Sequence, residues 1–174
     1  MTPLAINGWT IYAHPLFLEQ VEALTERVTQ LAAKDPGGYR SRPATKRLAA
    51  IVKLVLEDIP QNPQGAQYRQ GNTLGPAHSH WCRAKFYQQY RLFFRYDLAH
   101  KVLIYAWVND ASTRRAYGSK HDAYTTFYKM LEKGHPPDSW DTLQRTAIQG
   151  GERIQALLGL NAKGYAVTNE EPPS

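Results

Sequence analysis

The stretch Trp81-Cys82-Arg83-Ala84-Lys85-Phe86-Tyr87-Gln88-Gln89-Tyr90-Arg91-Leu92-Phe93-Phe94-Arg95-Tyr96-Asp97-Leu98-Ala99-His100-Lys101-Val102-Leu103-Ile104-Tyr105-Ala106-Trp107-Val108 decides the fold. Side chains alternate across an extended chain, so Arg83, Lys85 and Tyr87 share one side and Ala84 and Phe86 the other. In the next segment Arg91, Phe93 and Arg95 share a side, while Leu92, Phe94 and Tyr96 point the opposite way, as a core face should. The third segment is rich in branched and aromatic residues. The spacing predicts strands over residues 81–89, 90–96 and 101–108, with residues 97–100 as the last turn, and hence an antiparallel meander.

Working outward, Phe17, Val21, Leu24, Val28 and Leu31 recur at helical spacing after the opening Asn7-Gly8-Trp9-Thr10-Ile11-Tyr12-Ala13-His14-Pro15. Asp35-Pro36-Gly37-Gly38 ends that helix. Ser41 is placed to cap a second helix, whose face carries Leu48, Ile51, Val52, Val55 and Ile59 before Pro60 stops it. Residues 67–74 read as a short, poorly specified strand. A third helix is expected over residues 122–133, with Tyr124, Phe127, Tyr128 and Leu131 on one side, ended by Gly134 and Pro136-Pro137. Residues 141–158 keep helical spacing at Leu143, Ala147, Ile154 and Leu157 across the interruption Gly150-Gly151. The last dozen residues have the polar composition of a disordered tail.

The 174 residues suit one domain with a single core. The expected division is a domain over residues 1–145 and a partly helical, then disordered extension over 146–174. No run of apolar residues reaches membrane-spanning length, and residues 1–8 do not form a secretory signal, so the expectation is a cytoplasmic protein without membrane attachment. Cys82 is the single cysteine, which excludes an internal disulfide and cysteine-rich zinc patterns. The net charge of +6 is unevenly spread: residues 69–120 hold nine Lys/Arg against two Asp/Glu, and no carboxylate occurs between Ile59 and Tyr96. Unrelieved cations on neighbouring strands repel one another unless a polyanion faces them.

If the cationic faces of adjacent strands merge, Arg83, Lys85, Arg91 and Arg95, with Tyr87 and Phe93 among them, form a surface that neutralises phosphates and stacks bases. Metal-free RNA cleavage by 2′-hydroxyl attack needs a proton acceptor, a proton donor and cations for the phosphorane. Lys85 among arginines is a candidate base, Arg91 a phosphate ligand, and Tyr124 a proton donor or acceptor near Arg114, Arg115 and Lys120. Of six histidines, His78, His80 and His121 lie nearest these segments and compete for acid–base roles. His78-x-His80 is a metal-type pair for which the chain shows no clear third ligand. No metal or cofactor is expected.

Asn7-Gly8-Trp9, Tyr12-Ala13-His14-Pro15, residues 90–96, Trp107 with Asn109-Asp110, Tyr117-Gly118, Asp122-Ala123-Tyr124 and Lys133-Gly134-His135-Pro136-Pro137 together resemble the YhaV-type toxins of the RelE-like ribonuclease superfamily. The resemblance implies an α+β fold of two N-terminal helices on a twisted antiparallel sheet, with a further C-terminal helical region. It implies an endoribonuclease toxin of a type II toxin-antitoxin system that cuts messenger RNA and blocks translation. By the family pattern Arg83, Lys85, Arg91 and Tyr124 are catalytic, and Arg115 is taken for the remaining cationic position, with Arg114 and Lys120 as its alternatives; Arg95, Tyr87, Phe93, Arg114 and Lys120, from the charge and alternation above, complete the expected RNA-binding surface. The implied partners are messenger RNA, in many relatives on the ribosome, and a PrlF-type antitoxin through which DNA is met only indirectly. A non-catalytic RNA- or ribosome-binding module is the alternative, and a DNA-binding regulator is weaker because no helix-turn-helix is evident.

Overall fold

The structure is a computed structural model that describes residues 3–110, 113 and 121–157. Strands β1 (Ala5–Ile6), β2 (Trp9–Ala13), β3 (Cys82–Phe86), β4 (Tyr90–Asp97) and β5 (Val102–Val108) form one sheet in the order β1-β2-β5-β4-β3. The β3–β4–β5 meander is antiparallel as expected. The sheet as a whole is not: β2 runs parallel to β5, pairing Thr10 with Val102 through Ala13 with Tyr105. The opening motif is therefore a hairpin. Asn7 and Gly8 both take positive φ, 51° and 82°, the pattern of a two-residue type I′ turn, and β1 folds back on β2 before the chain enters helix.

Helix α1 (Pro15–Lys34) buries Phe17, Leu18, Val21, Leu24 and Val28. His14 caps it, its Nδ1 accepting from the Leu16 N–H at 3.1 Å. Helix α2 (Pro43–Lys53) follows, but Ser41 does not cap it. Ser41 Oγ instead donates to Gly38 O within a 3-10 turn, and Arg42 occupies the cap position. Pro60 does not end the helical run at once: a π-helical segment, Leu54–Asp58, leads into α3 (Ile59–Gln61), and Pro60 sits inside this run, where its missing N–H leaves a carbonyl of the preceding turn to be satisfied elsewhere. The Tyr105 hydroxyl donates to Val55 O at 3.0 Å in this wider turn. Residues 67–74 are 3-10 and turn, with one strand-like bridge between Arg69 and Cys82.

Both faces of the sheet are covered. Leu92, Phe94, Leu103 and Tyr105 pack with α1 and α2 in one core. Phe93, Ile104, Ala106 and Trp107 pack in a second with α4 (Ala123–Glu132) and α5 (Trp140–Ile148), through Phe127, Leu131, Leu143 and Ala147. Of the predicted face of the third helix, Tyr128 alone is largely exposed. Residues 151–157 are helical and return Ile154 and Leu157 to the first core. The register shifts between Phe93 and Phe94, whose partners are Trp107 and Tyr105, so Ala106 is the extra residue of a bulge. Because of it Ala106 and Trp107 lie in the same core. Among the described residues no helix is long and apolar enough to cross a membrane.

His14 is 5% exposed, and burial, reinforced by the charge of His135, lowers its pKa to about 4. A folded-state pKa below the unfolded value stabilises fully above pH 6.5 and is lost as pH falls toward 4, on the order of 2–3 kcal/mol. His14→Asn retains a helix cap without the titration. Urea midpoints at pH 7 and pH 4.5 should differ less for this variant than for the wild type.

Candidate active site

Strand alternation and register assemble the basic face. Lys85 lies across from Arg91 and Arg83 across from Phe93, and Tyr124 enters from the first turn of α4. Asp122 sets that turn, its Oδ2 accepting from the Tyr124 N–H at 3.0 Å. Two guanidiniums converge on the phenol oxygen: Arg83 Nε donates to Tyr124 Oη at 2.9 Å and Arg91 Nε at 3.2 Å. The structure thus brings Arg83, Lys85, Arg91 and Tyr124 to one place.

Arg91 is only 7% exposed. A buried cation must be satisfied locally, and among the described residues no carboxylate does it. Arg91 Nη1 donates to Gln88 O at 2.7 Å and Tyr90 O at 2.9 Å, and Arg83 Nη1 to Gln67 O at 2.7 Å. These bonds turn the guanidiniums into a frame for the phenol, so the arginine expected to grip phosphate by its fork has much of that fork engaged inside the protein. Lys85, by contrast, is exposed, and among the described residues its ammonium has no hydrogen-bond or ion-pair partner.

Three of the residues expected to bind RNA stand apart from this cluster. Phe93 is fully buried, its ring 4.1 Å from that of Phe127, because α4 lies over the face that alternation alone leaves open. Arg95 donates from Nη1 to Asp138 O at 2.6 Å and sits 5.4 Å from the rings of Trp81 and Trp140, tied to the α4–α5 linker. Tyr87 is exposed but leaves the strand: with Gln88 it takes positive φ, 44° and 60°, in the β3–β4 turn. Arg114, Arg115 and Lys120 lie outside the described residues.

Asn109 stands out in the sequence only as part of the resemblance. It is buried just beyond β5, and its Oδ1 accepts from the Arg91 N–H at 2.6 Å while Nδ2 donates to Gln89 O at 3.0 Å and Thr113 O at 2.9 Å. One side-chain amide thereby fixes the β3–β4 turn, the backbone of Arg91 and the start of the next loop. An asparagine directly after an apolar strand was the available signal. Nearby, the Gln20 amide pairs with the backbone of Val108, donating to its oxygen at 2.5 Å and accepting from its nitrogen at 3.1 Å, where β2 no longer covers the edge of β5.

Two arginines holding a phenol, beside an exposed ammonium in a chain segment almost without acids, form a surface complementary in charge to an anionic phosphodiester. Residues 11–148 match the model of the family Toxin_YhaV, described as a toxin with endonuclease activity, of a toxin-antitoxin system. The chain belongs to that family. It is 48% identical over 145 residues to the Ribonuclease toxin YhaV of Escherichia coli K12, a match covering 82% of this chain and 94% of the relative. The Toxin YhaV of Escherichia coli O157:H7 is similar to the same extent, 48% over 145 residues. No solved structure matches the chain.

Replacing Asn109 by Ala removes three hydrogen bonds around a buried backbone and should destabilise the fold by about 1–3 kcal/mol. If it positions Arg91, Asn109→Ala should also lower kcat more than it raises KM for the substrate, whereas a purely structural loss would leave kcat per folded molecule unchanged.

Proposed function

We propose that this chain is an endoribonuclease toxin that cuts messenger RNA by metal-independent transesterification at the face formed by Arg83, Lys85, Arg91 and Tyr124, and so blocks translation. The observation that carries the chemistry is the double donation of Arg83 and Arg91 to the Tyr124 oxygen beside Lys85. The relatives' names, Ribonuclease toxin and Toxin, carry the substrate and the biological role.

In this reading the RNA 2′-oxygen attacks the adjacent phosphorus, the 5′-oxygen of the following nucleotide leaves, and the product is a 2′,3′-cyclic phosphate. One proton is removed from the 2′-hydroxyl and one supplied to the leaving oxygen. Lys85 and Tyr124 are the two proton-handling groups. The guanidiniums of Arg83 and Arg91 orient the phenol and, with Arg115, offset the charge that builds on the phosphorane. Burial of Arg91 strengthens its field at the reacting phosphate, because water does not screen it from that side.

The expected resting partner is an antitoxin of the PrlF kind that presents acidic groups to the same basic face, with DNA contacted through the antitoxin; the ribosome is the expected setting for messenger cleavage. Cleavage of a defined messenger RNA in EDTA, with and without translating ribosomes, tests the chemistry. Tyr124→Phe and Lys85→Ala should each reduce cleavage by roughly 10²–10⁴-fold while RNA binding changes only a few-fold. Loss of binding in step with cleavage would make Lys85 and Tyr124 binding groups and not proton-handling ones, and binding by the wild type without any cleavage in either setting would favour a non-catalytic RNA-binding module.

A further inference from the structure

At the other end of the second core's sheet face, beyond Arg83, lies a cluster that ribonuclease chemistry does not use. His78 closes the 3-10 turn Pro76–His78, His80 stands just before β3, and Asp138 lies between α4 and α5. Asp138 Oδ1 is 2.9 Å from His78 Nδ1 and 2.9 Å from His80 Nε2, and it accepts from Trp81 Nε1 at 2.8 Å. One ligand atom from each of His78, His80 and Asp138 lies within 4.8 Å of the others. The second nitrogen of His78, Nε2, faces Glu132 Oε1 at 3.4 Å.

We propose that His78, His80 and Asp138 bind a divalent transition-metal ion of the zinc class, which staples the loop before β3 to the linker between α4 and α5. Two imidazoles and a carboxylate are a donor set suited to zinc. With the histidines neutral, Asp138 and Glu132 leave the cluster doubly negative, a charge that a divalent cation offsets. Arg95, the neighbouring cation, donates to the Asp138 carbonyl and not to its carboxylate. Glu132 stands where an outer carboxylate holds a metal-binding imidazole through its other nitrogen, and the Trp81 N–H restrains Asp138 in the same manner. Donors at about 2.0–2.1 Å from a tetrahedral ion stand roughly 3.3 Å apart. The 2.9 Å separations therefore need to open by a few tenths of an ångström, and the two histidine nitrogens, within 4.8 Å of each other, to draw together by up to roughly 1.5 Å.

Cys82, although adjacent in sequence, belongs to the opposite core and supplies no fourth ligand. Three protein donors leave a further coordination position for water. The consequence is mechanical: an ion that fixes Asp138 also fixes Arg95, which is bound to the same residue, and with it one wall of the basic face. The site was invisible as a triad in the sequence because its third ligand is far along the chain from the histidine pair.

The test uses the full chain, free of any histidine tag, stripped with chelator and titrated with zinc chloride. Wild type should take up about one ion per chain with a dissociation constant of about 1 μM or below and a raised Tm. His80→Ala, at a partly exposed position where refolding is not at issue, and Asp138→Asn should each weaken uptake at least roughly 10-fold and abolish the rise in Tm. Failure of the folded wild type to bind zinc at micromolar concentration overturns the proposal. So does binding that survives unchanged in both variants, since the ion would then sit on other histidines.

Discussion

A guanidinium buried, among the described residues, without a counter-charge governs the architecture around the site. Arg91 lies in a segment with no carboxylate from Ile59 to Tyr96, and removing its charge from water is costly unless hydrogen bonds replace the lost hydration. Carbonyls of Gln88 and Tyr90 and the phenol of Tyr124 supply them. Each acceptor imposes a structural demand. The carbonyls require a tight β3–β4 turn with Tyr87 and Gln88 at positive φ, and the phenol requires α4 to begin over the face of β3 and β4. Asn109 then braces the turn from the end of β5. Neutral acceptors leave the positive charge uncancelled, where a salt bridge would have removed it.

The same arrangement explains why Phe93 offers no open platform on the cationic side of the sheet. Phe93, Trp107 and Phe127 stack beneath the charged groups, with Phe93 and Trp107 rings 5.9 Å apart and Trp107 and Phe127 rings 5.7 Å apart. The bulge at Ala106 lets Trp107 join Phe93 in that layer. Apolar rings on one side and protein carbonyls around the cations make the site rigid, and rigidity is what allows fixed dipoles and charges to act on a transition state without reorganising. At the far end of the face Arg95 and Asp138 tie the α4–α5 linker to the sheet, so both walls of the basic surface are anchored to the same two strands.

Much of the candidate site was legible because strand alternation is a local property. Arg83, Lys85 and Arg91 fall on one side of their strands by spacing alone, and register then places Lys85 opposite Arg91. Phe93 shows where that logic ends: alternation assigns a side, but only the packing of α4 decides whether that side meets water or a second core. The opening hairpin shows a different failure. Asn7-Gly8 between apolar segments is a turn signal in its own right, yet it was subsumed into an approach to helix α1, and with it went the parallel pairing of β2 and β5.

The sequence by itself determined the elements whose periodicity is set within a few residues: the apolar stripes of α1, α2 and α4, the three meander strands, and the break at Gly134 with φ of 78°. It also determined the excess of cations in the middle of the chain and the family resemblance that the comparisons bear out. Only the tertiary structure decided which of those cations remain exposed, which phenol they hold, that Asn109 braces Arg91, and that Asp138 meets His78 and His80. The physical reason is distance along the chain. Periodicity reports the geometry of neighbouring residues, whereas a hydrogen bond between Arg83 and Tyr124, or between His78 and Asp138, depends on how whole helices settle on the two faces of one sheet.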